Sequence, residues 1–193
     1  NLYNYDIKNK ELLELMKWTN QNKLNSNVDY INYAANKYKN ISVEDFERYA
    51  NDRKRGGWKS ANYMIDKGIH KDIPEHLKDV YESGLKVELK SPEEVINIAK
   101  KSGGKIFLAH PSYHYRDSVM PIEELKHWGE LGIDGIECYS PYNRDNTRYY
   151  IDFCKKNNLM ISGGSDCHGS FIPSRKLGVP DVSLDDLNIK KLL

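Results

Sequence analysis

The sequence predicts an α/β protein in which a small parallel sheet follows a helical module. Three observations carry this. From Ser91 onward, short apolar runs alternate with segments of helical period, the pattern of βαβ units. Before Ser91, only helical periodicity is present. Finally, the apolar runs end in residues able to do chemistry, namely His110, Glu137 with Tyr139, and Asp166 with His168. Barrels and open α/β sheets carry their sites at the carboxyl ends of parallel strands.

The length, 193 residues, suffices for a substantial core. A net charge of +1 predicts neither a general nucleic-acid surface nor a membrane surface. No apolar run approaches the roughly 20 residues of a bilayer span, and no hydrophobic targeting segment opens the chain, so a cytoplasmic protein is expected. The three cysteines, Cys138, Cys154 and Cys167, lack CxxC spacing, which points away from a disulfide framework or a zinc knuckle. Asn1 to Asp6 leads straight into a helix without an initiator methionine, and the chain is expected to start inside a longer protein.

Residues 1–90 read as mainly helical. The spacing of Leu12, Leu13, Leu15, Met16 and Trp18 predicts an amphipathic helix over residues 8–24, and Asn25-Ser26-Asn27 predicts its end. A second helix is expected over Val28–Tyr38. Ser42-Val43-Glu44-Asp45 resembles a capping box ahead of Phe46, Tyr49 and Ala50. The many tyrosines suit packing with a solvated hydroxyl better than base stacking. Asp52-Arg53-Lys54-Arg55-Gly56-Gly57-Trp58-Lys59 enters a helix that stops at Gly68. Its cations and double glycine suit either a solvated charged loop or a phosphate grip at a helix start. His70 and His76 flank an irregular stretch around Pro74 and read as surface histidines.

Residues 91–193 read as the βα part. Ser91 is an N-cap with proline at the first helical position and acids in the first turn. The helix stops at Gly103-Gly104. Lys105–Ala109 predicts a strand buried on both faces, and the cycle repeats: helix 121–131 closed by Gly132, strand 135–139, helix 145–156, strand 159–162.

The glycine-flanked Asp166-Cys167-His168 turn then places a carboxylate and an imidazole two residues apart, side by side on an extended segment. With His110 on the same edge of the sheet, the donors suit manganese, zinc or iron better than calcium. His114 is a candidate proton carrier, and His127 lies in a helical run as a surface or packing residue.

Ala109-His110-Pro111, Gly135-Ile136-Glu137-Cys138-Tyr139 and Gly164-Ser165-Asp166-Cys167-His168-Gly169 closely resemble the later motifs of the PHP (polymerase and histidinol phosphatase) family. The best match is the subgroup similar to nucleoside 3',5'-bisphosphate phosphatases and related 5'-to-3' exoribonucleases, which carry a helical insertion. The resemblance is specific from Ser91 to about Gly178 and looser before it, where the insertion covers residues 8 to roughly 85. It implies a distorted (β/α)7 barrel that holds two or three divalent metals and hydrolyses phosphoesters. By motif, His110, Asp166 and His168 are then metal ligands. The family's early His-x-His, Asp-His and Glu motifs are absent, and Gly57-Trp58-Lys59-Ser60 stands near where relatives often carry Arg-Pro-His. The expectation is therefore the C-terminal portion of a PHP protein: a partial barrel of about three parallel strands, its N-terminal strands missing, inactive on its own.

The expected whole-protein activity is metal-assisted hydrolysis of phosphate esters of nucleotides or short oligonucleotides. His114 is the candidate proton donor, and Arg53, Arg55, Lys59 and Arg144 are candidates for a second phosphate. Alternatives are a sugar or histidinol phosphate phosphatase, a polymerase-associated domain, or a non-catalytic nucleotide- or RNA-binding module. The expected partner is a phosphorylated small molecule, nucleotide or short oligonucleotide, with self-association through the exposed edge of the incomplete barrel.

Overall fold

A computed structural model of the chain describes residues 1–52, 54–115, 118–189 and 192. It divides into two compact units, each discontinuous in sequence: Asn1–Leu15, Lys90–Cys167 and Arg175–Leu193 form the first, and Met16–Leu89 with His168–Ser174 the second.

The first unit is built on a four-stranded sheet in the order β1 (Leu2–Tyr3), β2 (Lys105–Leu108), β3 (Gly135–Tyr139) and β4 (Met160–Gly163). The last three strands are parallel, with Leu108 beside Ile136 and Ile136 beside Ile161. The helices α5 (Pro92–Lys101), α6 (Ile122–Leu131) and α7 (Thr147–Lys156) alternate with them as the sequence predicts. Ser91 Oγ accepts from the Glu94 amide at 3.2 Å, and Gly132 closes α6 in a left-handed conformation, φ 93°. Ile96, Leu125, Ile136, Cys138, Tyr150, Phe153, Cys154 and Ile161 form the core. Along β3, Ile136 and Cys138 join that core, so the alternation of strand side chains turns Glu137 to the opposite face.

Two features depart from the sequence reading. The segment before the first helix is not merely a lead-in, because β1 pairs antiparallel with β2, Leu2 opposite Ile106. A two-residue strand is too short for an alternation signal. In β2 only Phe107 is fully buried, while Ile106 and Leu108 on the opposite face are partly buried against the core, so burial on the two faces is unequal.

In the second unit, the break predicted at Asn25-Ser26-Asn27 does not occur. One helix, α1, runs from Lys10 to Lys37, beginning in the first unit. Ser26 Oγ and Asn27 Nδ2 bond back to the Lys23 carbonyl, and Asn27 Oδ1 accepts from the Ser60 amide at 3.2 Å. These residues weaken a helix by competing for its backbone, but without glycine or proline they do not end one whose next turns are buried through Tyr30, Ile31 and Ala34.

Helices α2 (Val43–Arg48), α3 (Lys59–Asp66) and α4 (Ile73–Glu82) follow. Ser42 caps α2 through the Asp45 amide at 3.1 Å, but the Asp45 carboxylate accepts from the Tyr63 hydroxyl and pairs with Lys67. Helix α4 was hidden by Pro74, which lies in its first turn behind the N-cap Asp72, where proline is tolerated. The tyrosine hydroxyls of this unit reach carboxylates: Tyr30 to Asp79, Tyr49 to Asp66 and Tyr63 to Asp45.

His70 and His76 are not surface residues. Both are buried, 3% and 2% exposed, with their Nδ1 atoms 3.3 Å apart. His70 Nε2 lies 3.3 Å from Asp79 Oδ2, and Asp79 also holds Tyr30 and Lys37. Burial drives the His76 pKa down to about 4, helped by His70. Burial raises the Asp79 pKa, but Lys37 and Tyr30 outweigh it and leave the carboxyl below its ordinary value. His70 Nε2 faces the carboxylate without a hydrogen bond to it, and which Nδ1 donates between the two rings depends on the tautomer. No helix among the described residues is long and apolar enough to cross a membrane.

Candidate metal and phosphoester site

The site is built at the carboxyl ends of β2, β3 and β4. His110 stands two residues beyond β2, and its φ of 30° lies in the left-handed region. Asp166, three residues beyond β4, has φ 48°. A side chain in that region costs free energy unless surrounding contacts over-determine it, and such residues gather at functional sites. What holds His110 is Glu137, whose Oε2 accepts from the His110 amide at 2.9 Å.

Glu137 is 7% exposed and ties several chain segments together. Its Oε1 faces the Asn1 amide nitrogen at 3.4 Å and sits where a Cβ on Gly164 would be 2.4 Å away. Gly164 is therefore required for clearance: any side chain there displaces the carboxylate that fixes His110.

The register of β3 and β4 shifts between Glu137 and Tyr139. Such a bulge leaves backbone groups without ladder partners. Buried Asn143 supplies them, its Nδ2 donating to the carbonyls of Glu137 at 3.0 Å and Cys138 at 2.7 Å, while its Oδ1 faces the Ser112 amide at 3.4 Å. One side chain thus braces the end of β3 and the loop after β2.

Tyr142 joins the two candidate ligands. Its hydroxyl donates to Asp166 Oδ2 at 2.8 Å, and its ring stands edge-on to His110 with centroids 5.6 Å apart. Burial, with Asp166 beside it, pushes the Tyr142 hydroxyl pKa up, so it is a donor throughout the ordinary pH range. Arg175 Nη1 donates to the same Asp166 oxygen at 2.5 Å, and its guanidinium lies over the Tyr142 ring at 5.0 Å. Tyr113 packs against His110, Tyr142 and His114, the last at 4.8 Å. His114 is exposed.

The structure thus brings His110 and Asp166 to one aromatic-walled place. His168 belongs to the second unit, where its carbonyl lies 2.6 Å from the position of a Cβ on Gly56. Among the described residues, no three His, Cys, Asp or Glu side chains converge as an ion-holding group. The donors present there are one imidazole and one carboxylate, the latter already paired with Arg175.

The basic candidates are placed differently. Arg53 lies outside the described residues. Arg55 pairs with Asp66 at 2.6 Å. Lys59 Nζ donates to the Glu47 carbonyl at 3.1 Å and lies over the Phe46 ring at 4.6 Å. Arg144 is exposed at the start of the 3-10 turn Arg144–Asn146. Beside the double glycine, the space over Gly57 is filled by Phe171, whose ring atoms lie 2.0–2.3 Å from where a Cβ would stand.

Sequence reasoning missed Tyr142, Asn143 and Arg175. None lies in a compact motif, and only the fold brings Arg175 back to Asp166. Glu137 was legible at a strand end, though not its hold on His110.

No protein-family model matches the chain, and no curated protein matches it. Among solved structures, a candidate metal-dependent phosphoesterase from Bifidobacterium adolescentis aligns with a TM-score of 0.77 at 19% identity, over 99% of this chain and 67% of that one. An amidohydrolase from Chromobacterium violaceum, solved with bound sulfate and no metal, aligns with a TM-score of 0.62 at 18% identity, over 86% of this chain and 60% of that one. The chain spans about two thirds or less of the length of these proteins. It therefore has the α/β fold also found in a candidate metal-dependent phosphoesterase and in an amidohydrolase.

Proposed function

We propose that the chain carries the site of a metal-dependent phosphoesterase acting on phosphate esters of nucleotides or short oligonucleotides. The observation that carries this reading is Tyr142, which touches both His110 and Asp166 at the strand ends, each in a left-handed backbone. Support also comes from the phosphoesterase with the same fold and from the sulfate, a phosphate-like anion, in the amidohydrolase.

His110 and Asp166 would hold a divalent cation (manganese, zinc or iron), with His168 a further candidate ligand by its motif alone. When bound, the cation lowers the pKa of water and neutralises charge on the phosphate oxygens. Tyr142 orients the Asp166 carboxylate and Glu137 fixes the His110 backbone, while His114 supplies a proton to the leaving oxygen. The rings of Tyr113 and Tyr142 exclude water from one side of the ester and offer an aromatic wall to a base.

The test is release of inorganic phosphate from a nucleoside 3',5'-bisphosphate, with sugar phosphates and histidinol phosphate as competitors, in the presence of manganese. Turnover lost in Asp166→Asn, with the circular dichroism spectrum unchanged, is the expected result. Manganese-independent turnover that survives the substitution contradicts the reading.

A further inference from the structure

We propose that the segment Leu85–Leu89 is a self-recognition strand, which pairs antiparallel with the same segment of a second copy of this chain, Val87 lying on the two-fold axis. The segment follows α4 and ends the second unit. Its sequence, Leu85-Lys86-Val87-Glu88-Leu89, alternates apolar and charged residues with the period of a strand. Yet among the described residues it has no strand partner, and it contains no helix, turn or bend. All five residues are exposed, Leu89 at 80% and Val87 at 50%. Leu85, Val87 and Leu89 therefore form an apolar stripe on one face of an unpaired strand.

Two observations select a second copy as the occupant. The first is charge. In an antiparallel pair centred on Val87, Lys86 of each copy stands directly opposite Glu88 of the other, and Leu85 stands opposite Leu89. Sliding the register by two residues either way keeps the apolar faces together but sets Lys86 against Lys86 or Glu88 against Glu88, which is destabilising.

The second observation is the backbone. Asn22 Nδ2 of α1 donates to the Glu88 carbonyl at 3.3 Å. Polar groups of alternate strand residues leave by opposite edges, so those of Lys86 and Glu88 face α1, and those of Val87 and Leu89 face outward. Each Val87 then both donates to and accepts from the other Val87. The Leu89 amide donates to the Leu85 carbonyl of the second copy, while the Leu85 amide is held by Ser83 Oγ at 3.2 Å. In this phase Lys86 and Glu88 form a non-hydrogen-bonded pair, the arrangement in which opposed side chains come closest. Charge and backbone thus specify the same register independently. The junction is short, so the dimer depends on concentration and is not obligate.

The experiment is sedimentation velocity over a concentration series for the unaltered chain, Lys86→Glu, Glu88→Lys and the two substitutions together. The unaltered chain is expected to dimerise with a midpoint of about 100 μM. Each single substitution is expected to weaken the dimer about tenfold, because like charges then meet at both symmetric positions, and the double substitution to return it to within about threefold of the unaltered chain. All four proteins are expected to share one far-ultraviolet circular dichroism spectrum, since the altered side chains are exposed. A monomer at every concentration overturns the proposal and leaves the segment to an unlike partner or to solvent. A dimer that the single substitutions do not weaken lies on another surface, and one that the double substitution does not restore lacks this register. Either result overturns the proposal.

Discussion

The strand-end site of the first unit and the His70–His76 cluster of the second use the same kinds of side chain: imidazole, aspartate and tyrosine. Their backbones and surroundings differ. His110 and Asp166 lie on turns in left-handed conformation and are only half-buried, whereas His70, His76 and Asp79 are at most 5% exposed and belong to helix α4 or the turn before it. Around Asp79, Tyr30 and Lys37 take up the carboxylate, and the two imidazoles face each other. Such a cluster serves the fold: the Asp79 carboxylate is taken up within the unit and the imidazoles face each other, although buried His70 Nε2 makes no hydrogen bond. Residue type does not separate the two regions. Backbone conformation and burial do.

The largest expected contrast is in activity. Asp166→Asn lowers manganese-dependent phosphoester turnover by at least about 1000-fold, because the cation supplies several kcal/mol of transition-state stabilisation. Asp79→Asn leaves turnover per folded molecule within a few-fold. It instead lowers stability by about 3 kcal/mol in denaturant unfolding, since Lys37, Tyr30 and His70 lose a buried charged partner.

A pH series sharpens the same contrast. The His76 pKa falls from 6.5 to about 4 on folding, so as pH drops the unfolded chain takes up the proton first. Its contribution is fully present above pH 6.5 and declines as pH falls toward 4, by about 3 kcal/mol in all. His76→Phe keeps a ring edge-on to Tyr30 and removes that part of the slope, which urea unfolding at several pH values measures.

Asn143→Ala leaves the Glu137 and Cys138 carbonyls without their donor and costs about 2 kcal/mol, read as a shift of the thermal midpoint. The smallest effect belongs to Lys59. Its ammonium is engaged with the Glu47 carbonyl and the Phe46 ring, so Lys59→Ala changes the affinity for inorganic phosphate by less than about twofold.

Much of the first unit was legible because its signals are local. Ser91 with Pro92 opens α5 and Gly132 closes α6 by signals confined to neighbouring residues, and the alternation of β2, α6, β3, α7 and β4 follows from period alone. The candidate ligands His110 and Asp166 were legible because they follow apolar runs. Tertiary contacts hid the rest. Asn27 resembles a breaker until Ser60 is seen to bond to it, and His76 resembles a loop histidine until Asp72 is recognised as the cap of α4. Gly56-Gly57 left a solvated charged loop and a phosphate grip equally open, and the space over Gly57 is taken by Phe171, more than a hundred residues away in sequence. The same distance problem concealed Arg175, whose partner is the motif residue but whose own neighbours carry no pattern.

The most direct test of the account is paramagnetic broadening by substoichiometric manganese in the nuclear magnetic resonance spectrum of the chain. Both regions are then read at once. The account predicts selective loss of the His110 and Asp166 amide signals and of the His110 imidazole, with the His70 and His76 imidazoles left sharp. Broadening centred on His70 and His76, or none at His110 and Asp166, contradicts it.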